Sequence, residues 1–132
     1  MTEDDFKNRT KQISLRIINL VQALPPTTTA TIIGKQLIRS DTSIGANYRA
    51  ACRGKSRADV LHKLAIVEEE ADESLYWIDL LIDSNIVSEH RLSSLTREIN
   101  EVIRMVVASI KTIRTTSSNK PSNPKSKIQN PK

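Results

Sequence analysis

The residues of this chain that could perform acid–base, nucleophilic or metal chemistry are few and widely separated. Only His62 has a carboxylate at a metal-ligand spacing, in the segment Asp59-x-x-His62. A di-metal site in a helical bundle needs two Glu-x-x-His pairs and two more inward acids, and His90, which directly follows Glu89, cannot supply the second pair. Cys52 follows two alanines, a setting typical of a small core residue. We therefore predict a non-enzymatic protein with no catalytic residues, metal site, cofactor or small-molecule substrate.

The densest cluster of side chains that could bind a ligand is basic. Residues 34–57 contain six basic residues and one acid, whereas residues 58–89 contain one lysine and nine acids. Arg49 and Arg53 are one helical turn apart and share a face. Such a face could bind the phosphates of structured RNA or DNA with release of counterions. The predicted nucleic-acid-binding residues are Lys35, Arg39, Arg49, Arg53, Lys55 and Arg57.

Other interpretations of these charges stay open. Basic residues of 34–57 could pair with Glu69, Asp72 or Glu73 of a neighbouring subunit, and head-to-tail contacts of this kind close into rings. They could also form a solvated face. Tyr48 is the only aromatic residue within the basic cluster, so stacking on single-stranded bases is not indicated. The alternative to nucleic-acid binding is an oligomeric protein-interaction scaffold.

Four amphipathic segments must position these residues. Apolar residues recur in them at alternating spacings of three and four, which is typical of helices packed in a bundle. Because short turns make successive helices antiparallel neighbours, and near-heptad spacing favours left-handed packing, we predict an all-α, antiparallel up-down-up-down, left-handed four-helix bundle. The segments span residues 6–24, 33–51, 61–82 and 92–113. The predicted core-facing seam of the third segment is Leu61, Leu64, Glu68, Ala71, Leu75, Ile78 and Ile82. That of the fourth segment is Leu92, Leu95, Ile99, Val102, Val106, Ser109 and Ile113.

The breaks between the segments carry turn signals. Pro25-Pro26 ends the first helix because proline lacks an amide donor. Gly54 is predicted to be a left-handed C-cap, and Ser56 with Asp59 to form a capping box for the third helix. Asp83-Ser84-Asn85 forms the last turn.

Composition places this bundle in a single domain with a tail. We expect residues 1–115 to fold, and residues 116–132, which hold four lysines, three prolines and no acid, to form a disordered basic tail. One cysteine, an acidic N-terminus unlike a secretory signal, and no apolar run of membrane-spanning length together predict a cytoplasmic protein without membrane contact.

Polar residues interrupt the predicted helix seams. Ser40, Asn47 and Glu68 fall at seam positions, and antiparallel pairing around Gly54 places Ser40 near Glu68 or Glu69. We interpret the three as a buried polar layer that fixes the register of the helices. Two alternatives are a ligand pocket and a rotated third helix that exposes Glu68.

Two segments carry more apolar residues than one bundle can bury. Residues 75–82 are apolar nearly all round, and the fourth helix has a second apolar row beside its seam. Because each helix of a bundle buries a single stripe, the excess predicts contact with further copies of the chain. The predicted oligomer interface comprises Tyr76, Trp77, Leu80, Leu81, Ile103, Val107 and Ile110.

Two blocks of this sequence resemble a known family. RSDTSIGANY at residues 39–48 and KLAIVEEEADESLYW at residues 63–77 are similar to the signature blocks of the 23S rRNA intervening-sequence protein family, also called the S23 family, with the likeness covering roughly residues 6–115. Many members have Glu-Gly three and four residues after the Asn of the first block. This chain has Ala50 and Ala51 there, so a role for that glutamate does not transfer.

The resemblance implies an antiparallel four-helix bundle that assembles into a ring, commonly a homopentamer. Some relatives are encoded within intervening sequences of 23S rRNA genes. The accessory variability proteins of diversity-generating retroelements, which are basic pentamers associated with nucleic acid, are distantly similar. The expected partners are therefore other copies of the chain and structured RNA or DNA.

Overall fold

A computed structural model of the chain describes the backbone of residues 1–119 and the side chains of residues 1–116. Four helices follow one another in this part: α1 (Glu3–Gln22), α2 (Thr28–Cys52), α3 (Arg57–Asp83) and α4 (Glu89–Asn119). The described residues contain no strand, and the prediction of an all-α protein is confirmed. From residue 120 onward, the predicted tail lies outside the described residues.

Polar side chains at the helix starts satisfy amides that lack a partner within the helix. Thr2 and Asp5 form a reciprocal capping box on α1, and the Thr27 hydroxyl accepts a hydrogen bond at the start of α2. The Ser56 hydroxyl accepts from the amide of Asp59 at 3.0 Å, as predicted for α3. In a capping box the Asp59 carboxylate would accept from the amide of Ser56 itself. It accepts instead from the amide of Lys55, so this half of the prediction is wrong.

The turn between α2 and α3 differs from the prediction at Gly54. No described glycine has a positive φ, so the predicted left-handed cap is wrong. A glycine is required there for steric reasons: a Cβ would lie 2.4 Å from Cγ2 of Val60 and 3.1 Å from the Ala51 carbonyl oxygen. Among the described non-glycine residues, the left-handed position is Asn85, with φ 61°, in the turn before α4, where asparagine is tolerated.

The helices pack in chain order around one core. α2 lies against α1 and α3, α3 lies against α4, and the contact between α1 and α4 is the smallest. This arrangement confirms the predicted up-down-up-down topology. Burial of each large apolar side chain contributes about 1.5–3 kcal/mol relative to exposure, so packing maintains the long helices. The largest fully buried apolar side chains are Ile17, Leu37, Val67, Ile78, Leu81, Leu92, Ile99, Val102 and Val106.

Gly45 allows α1 to approach α2 closely. A Cβ on Gly45 would lie 3.3 Å from the Thr10 hydroxyl oxygen, and Thr10 itself is buried. The aromatic rings of Phe6 and Tyr48 stack one turn further along, with centroids 4.1 Å apart. The contact surface between α1 and α2 near Gly45 is therefore built from small and polar groups.

α4 runs longer than predicted. The sequence indicated an end near Thr115, whereas the helix continues to Asn119.

Candidate nucleic-acid interface

The antiparallel topology gathers basic residues at one end of the bundle. The last turns of α2 and α4 and the first turns of α1 and α3 meet there. Residues 49–63 contain one acid, Asp59, and residues 105–116 contain none, whereas the first turn of α1 adds Glu3, Asp4 and Asp5. The acids of α3 lie mainly toward its other end. We call this region the basic end, and its basic residues are Arg49, Arg53, Lys55, Arg57, Lys63, Lys111 and Arg114.

The six predicted nucleic-acid-binding residues are divided by the structure. Arg49, Arg53, Lys55 and Arg57 are exposed and lie together at the basic end. Lys35 is also exposed but lies near the start of α2, toward the opposite end of the bundle. The predicted set is therefore divided between the two ends of the bundle.

Arg39 belongs to an ion-pair network within the chain. Its guanidinium pairs with Glu73 and lies 3.3 Å from the Glu70 carboxylate. The Glu73 carboxylate also accepts from Nε1 of Trp77 at 3.0 Å. The Trp77 hydrogen bond and Arg39 together hold the pKa of Glu73 below its ordinary value. Arg39 thus fastens α2 to α3.

Two arginines of α1 are paired with acids in the same manner. Arg9 pairs with Glu101 and Arg16 with Glu98, which joins α1 to α4 where their packing is least extensive. Arg49 and Arg53, by contrast, form no ion pair within the part of the chain that the structure describes. The charges of Arg49 and Arg53 are therefore free to meet an external anion.

A groove between α1 and α2 adjoins the basic end. It has a volume of about 440 Å³ and is lined by nine residues, three of them basic and none acidic. Lys7 and Lys11 come from α1, and Arg49 from α2. Sequence reasoning missed the two lysines because it considered charge along α2 alone. The packing signal was present as Thr10 and Gly45, two small seam residues that bring the helices together.

The most unusual buried group is Asp41, which was not predicted. Its side chain is 1% exposed, and neither carboxylate oxygen has a hydrogen-bond partner. Burial raises the pKa of Asp41 to about 6. The Ser14 hydroxyl lies near enough to lower this pKa, but its geometry is not that of a hydrogen bond. Sequence reasoning passed over Asp41 because unpaired acids are rarely buried.

The predicted polar layer is only partly buried, and its pairing differs. Ser40 is fully buried and its hydroxyl lies 2.8 Å from that of Ser74. Its predicted pairing with Glu68 or Glu69 is therefore wrong. Asn47 is half-buried and donates to the Ser43 carbonyl at 2.9 Å, and Glu68 is half-buried.

α3 is rotated relative to the predicted seam, although part of that seam is kept. Leu64, Ala71 and Ile78 are buried as predicted, whereas Val67, Ser74 and Leu81 are each buried in place of the next residue along the chain. α4 similarly buries Ile110 where the sequence favoured Ser109. This rotation moves Glu68 from the core-facing seam to the edge of the buried face, where it is half-buried.

The rotation also corrects the predicted oligomer interface. Leu81 is 0% and Ile110 7% exposed, and both belong to the core of the monomer. Their assignment to the interface is wrong because the core of the monomer covers all or nearly all of their surface. Tyr76 is 55% exposed. The other four predicted interface residues, Trp77, Leu80, Ile103 and Val107, are half-buried.

Residues suited to catalysis do not converge in the described part of the chain. No group of three His, Cys, Asp or Glu side chains there could hold a metal ion. Burial raises the pKa of the Cys52 thiol, which opposes formation of the reactive thiolate. A membrane-crossing helix is likewise absent from the described residues.

The fold and the surface charge together define this protein as an antiparallel four-helix bundle with a basic end. Residues 3–108 match the family described as 23S rRNA-intervening sequence protein, and the chain belongs to this family. A crystal structure of a protein of unknown function from the S23 ribosomal protein family of Bacteroides thetaiotaomicron VPI-5482 is similar, with a TM-score of 0.78 and 34% identity over 84% of this chain and 99% of that one. Comparison with curated protein sequences found no match.

Proposed function

We propose that this protein is a non-enzymatic, cytoplasmic homo-oligomer that binds RNA or DNA through phosphate contacts at its basic end. The observation that carries the proposal is the contrast between arginines. Arg39 is held by acids of its own chain, whereas Arg49 and Arg53 are exposed and form no ion pair among the described residues. The family description, which refers to 23S rRNA, adds modest support.

The proposed mechanism is electrostatic and independent of sequence. Phosphate contacts position a nucleic acid but carry no base information. Tyr48 packs its ring against Phe6 inside the bundle, so it offers no free platform for base stacking. Binding should therefore weaken steeply with salt, with a slope of about −0.9 in log K against log [salt] for each duplex phosphate neutralised.

A binding titration over a series of salt concentrations tests this proposal. We expect Arg49→Ala plus Arg53→Ala to weaken binding and to reduce the magnitude of the salt slope by about 2. The matched control is Arg91→Ala plus Arg97→Ala, which removes the same charge from exposed positions toward the other end. No binding at low salt, or equal losses in both double variants, would contradict the proposal.

Oligomer formation, into a ring of five as the family resemblance implied, is the second part of the proposal. It is supported by exposed apolar side chains on two helices: Tyr76 on α3 and Ile32 on α2 are 55% and 56% exposed. Native mass spectrometry gives the subunit number directly. We expect Tyr76→Lys to lower the assembled mass and Tyr76→Phe to preserve it. A monomeric wild-type chain would overturn this part alone.

The scaffold function is the alternative, and the Arg39 network favours it in one respect. This chain already uses an arginine of α2 to hold acids of α3. Glu69 and Asp72 remain exposed on α3, where a neighbouring subunit could reach them. An oligomer that fails to bind any nucleic acid at low salt, yet dissociates after Glu69→Gln plus Asp72→Asn, would favour the scaffold.

A further inference from the structure

The groove between α1 and α2 has the chemistry of an anion site. Lys7 and Lys11 stand on one wall, four residues apart, which separates them by about 6 Å along the helix axis. Arg49 stands on the opposite wall, and none of the nine lining residues is acidic. Positive charge therefore approaches the same space from two sides.

Lys7, Lys11 and Arg49 form no ion pair in the described residues, although Arg9 and Arg16 of the same α1 do so. The buried Asp41 carboxylate lies near Ser14, which lines the groove, and can offset at most one of these three positive charges. Like charges that share a concave surface repel one another more than on a flat solvated face, because the low-dielectric walls focus the field. A bound anion would remove this repulsion.

The floor of the groove leaves space for such an anion. Gly45 has no side chain there, and the buried Thr10 lies beneath it. The hydroxyl of Thr10 donates to the Lys7 carbonyl and that of Thr42 to the Ile38 carbonyl. Both hydroxyl protons are committed to the backbone, so neither of these two hydroxyls can donate to a bound anion.

We propose that this groove binds a phosphate monoester. A monoester carries between about 1.5 and 2 negative charges at neutral pH and presents three acceptor oxygens. It therefore suits three converging cations better than an internal phosphodiester with a single charge. Free nucleotides and the 5′ end of a strand share this chemistry, and assignment of the strand end as the natural ligand rests on the proposed function.

The test compares two oligonucleotides that differ only in a 5′ phosphate, each labelled at the 3′ end and titrated with the full chain at pH 7.5. New charge-assisted hydrogen bonds to one phosphate should tighten binding about tenfold. Lys7→Gln plus Lys11→Gln should abolish this difference. Arg91→Gln plus Arg97→Gln, which removes equal charge outside the groove, should preserve it.

Equilibrium dialysis with adenosine monophosphate and with adenosine separates this inference from the proposed function. We expect the monophosphate alone to bind, and only when Lys7 and Lys11 are present. If it binds in this way while neither oligonucleotide does, the groove site stands and nucleic-acid binding fails. If both oligonucleotides bind equally and the monophosphate does not bind, nucleic-acid binding stands and the groove site is overturned. Circular dichroism of each variant establishes that it is folded.

Discussion

The hydroxyl oxygens of Ser40 and Ser74 lie 2.8 Å apart in the centre of the bundle, and both side chains are 0% exposed. Each hydroxyl also reaches a carbonyl of its own helix, that of Leu37 at 3.3 Å and that of Glu70 at 2.9 Å. This contact links α2 to α3 in a single register, because a shift of either helix would separate the two hydroxyls inside the core.

Replacement of Ser74 by Ala should destabilise the fold modestly. The lost hydrogen bond contributes about 0.5–1.5 kcal/mol, and Ser40 retains its own carbonyl as a partner. Denaturant unfolding of Ser40→Ala, Ser74→Ala and the double variant measures the coupling between them. The exposed Ser93→Ala serves as the control. Strictly additive losses from the two single variants would show that the pair does not interact.

Replacement of Asp41 by Asn should change how stability depends on pH. The pKa of Asp41 is raised to about 6 in the folded chain from 3.8, so the folded state holds the proton more tightly than the unfolded state. The contribution of the Asp41 proton to the free energy of unfolding is fully present below about pH 4 and is lost as the pH rises through 6. Above that range the free energy of unfolding no longer depends on Asp41 titration, and the total decrease is about 3 kcal/mol.

Urea unfolding of both chains between pH 4 and pH 8 measures this effect. Asp41→Asn should become the more stable chain at pH 8, and the two unfolding free energies should approach each other at pH 4. Taking the difference between the chains removes the titration of all other acids. A difference that is independent of pH would show that Asp41 does not ionise in this range.

Arg39→Ala and Arg49→Ala should separate structural from binding arginines. Loss of Arg39 removes a partly exposed ion-pair network, for which we expect about 0–1 kcal/mol of destabilisation. It should also change the emission of Trp77, the only tryptophan, since Trp77 donates to the Glu73 carboxylate that Arg39 holds. Arg49→Ala should weaken oligonucleotide binding and leave Trp77 emission unchanged. The reverse pattern would contradict our assignment of the two residues.

Gly54→Ala should destabilise the turn between α2 and α3. Its Cβ would lie 2.4 Å from Cγ2 of Val60, and overpacking of this kind costs about 1–3 kcal/mol. Adding Val60→Ala should restore part of the loss, because it removes the methyl group that clashes. Gly45→Ala is the comparison: its contact with Thr10 is 3.3 Å, and the helix gains about 1 kcal/mol in propensity. Equal effects at both glycines would argue against the steric explanation.

The sequence by itself determined the number and order of the helices and the Ser56 N-cap of α3. Apolar spacing marked four segments, Pro25-Pro26 and Gly54 separated three of them, and Ser56 marked the start of α3. These signals act within a few residues of the chain, so they can be read without knowledge of its neighbours. The family blocks at residues 39–48 and 63–77 were also identifiable, and the match over residues 3–108 confirms them.

Tertiary packing decided which face of each helix is buried. On α3, Leu64, Ala71 and Ile78 belong to both the predicted and the observed seam. The predicted row through Glu68, Leu75 and Ile82 competes with the observed row one residue earlier, which lies about 100° around the helix. The choice depends on what α2 and α4 present, since Ser74 can bond to Ser40. This rotation buried Leu81 and removed it from any oligomer surface.

Tertiary structure also decided which charges act together. Sequence reasoning grouped Lys35 and Arg39 with Arg49, because it measured density along a single helix. Folding brings acids of α3 to Arg39 and lysines of α1 to Arg49. Electrostatic interaction depends on distance in space. The ion pairs of Arg39 and the basic groove beside Arg49 therefore could not be predicted before the four helices were placed side by side.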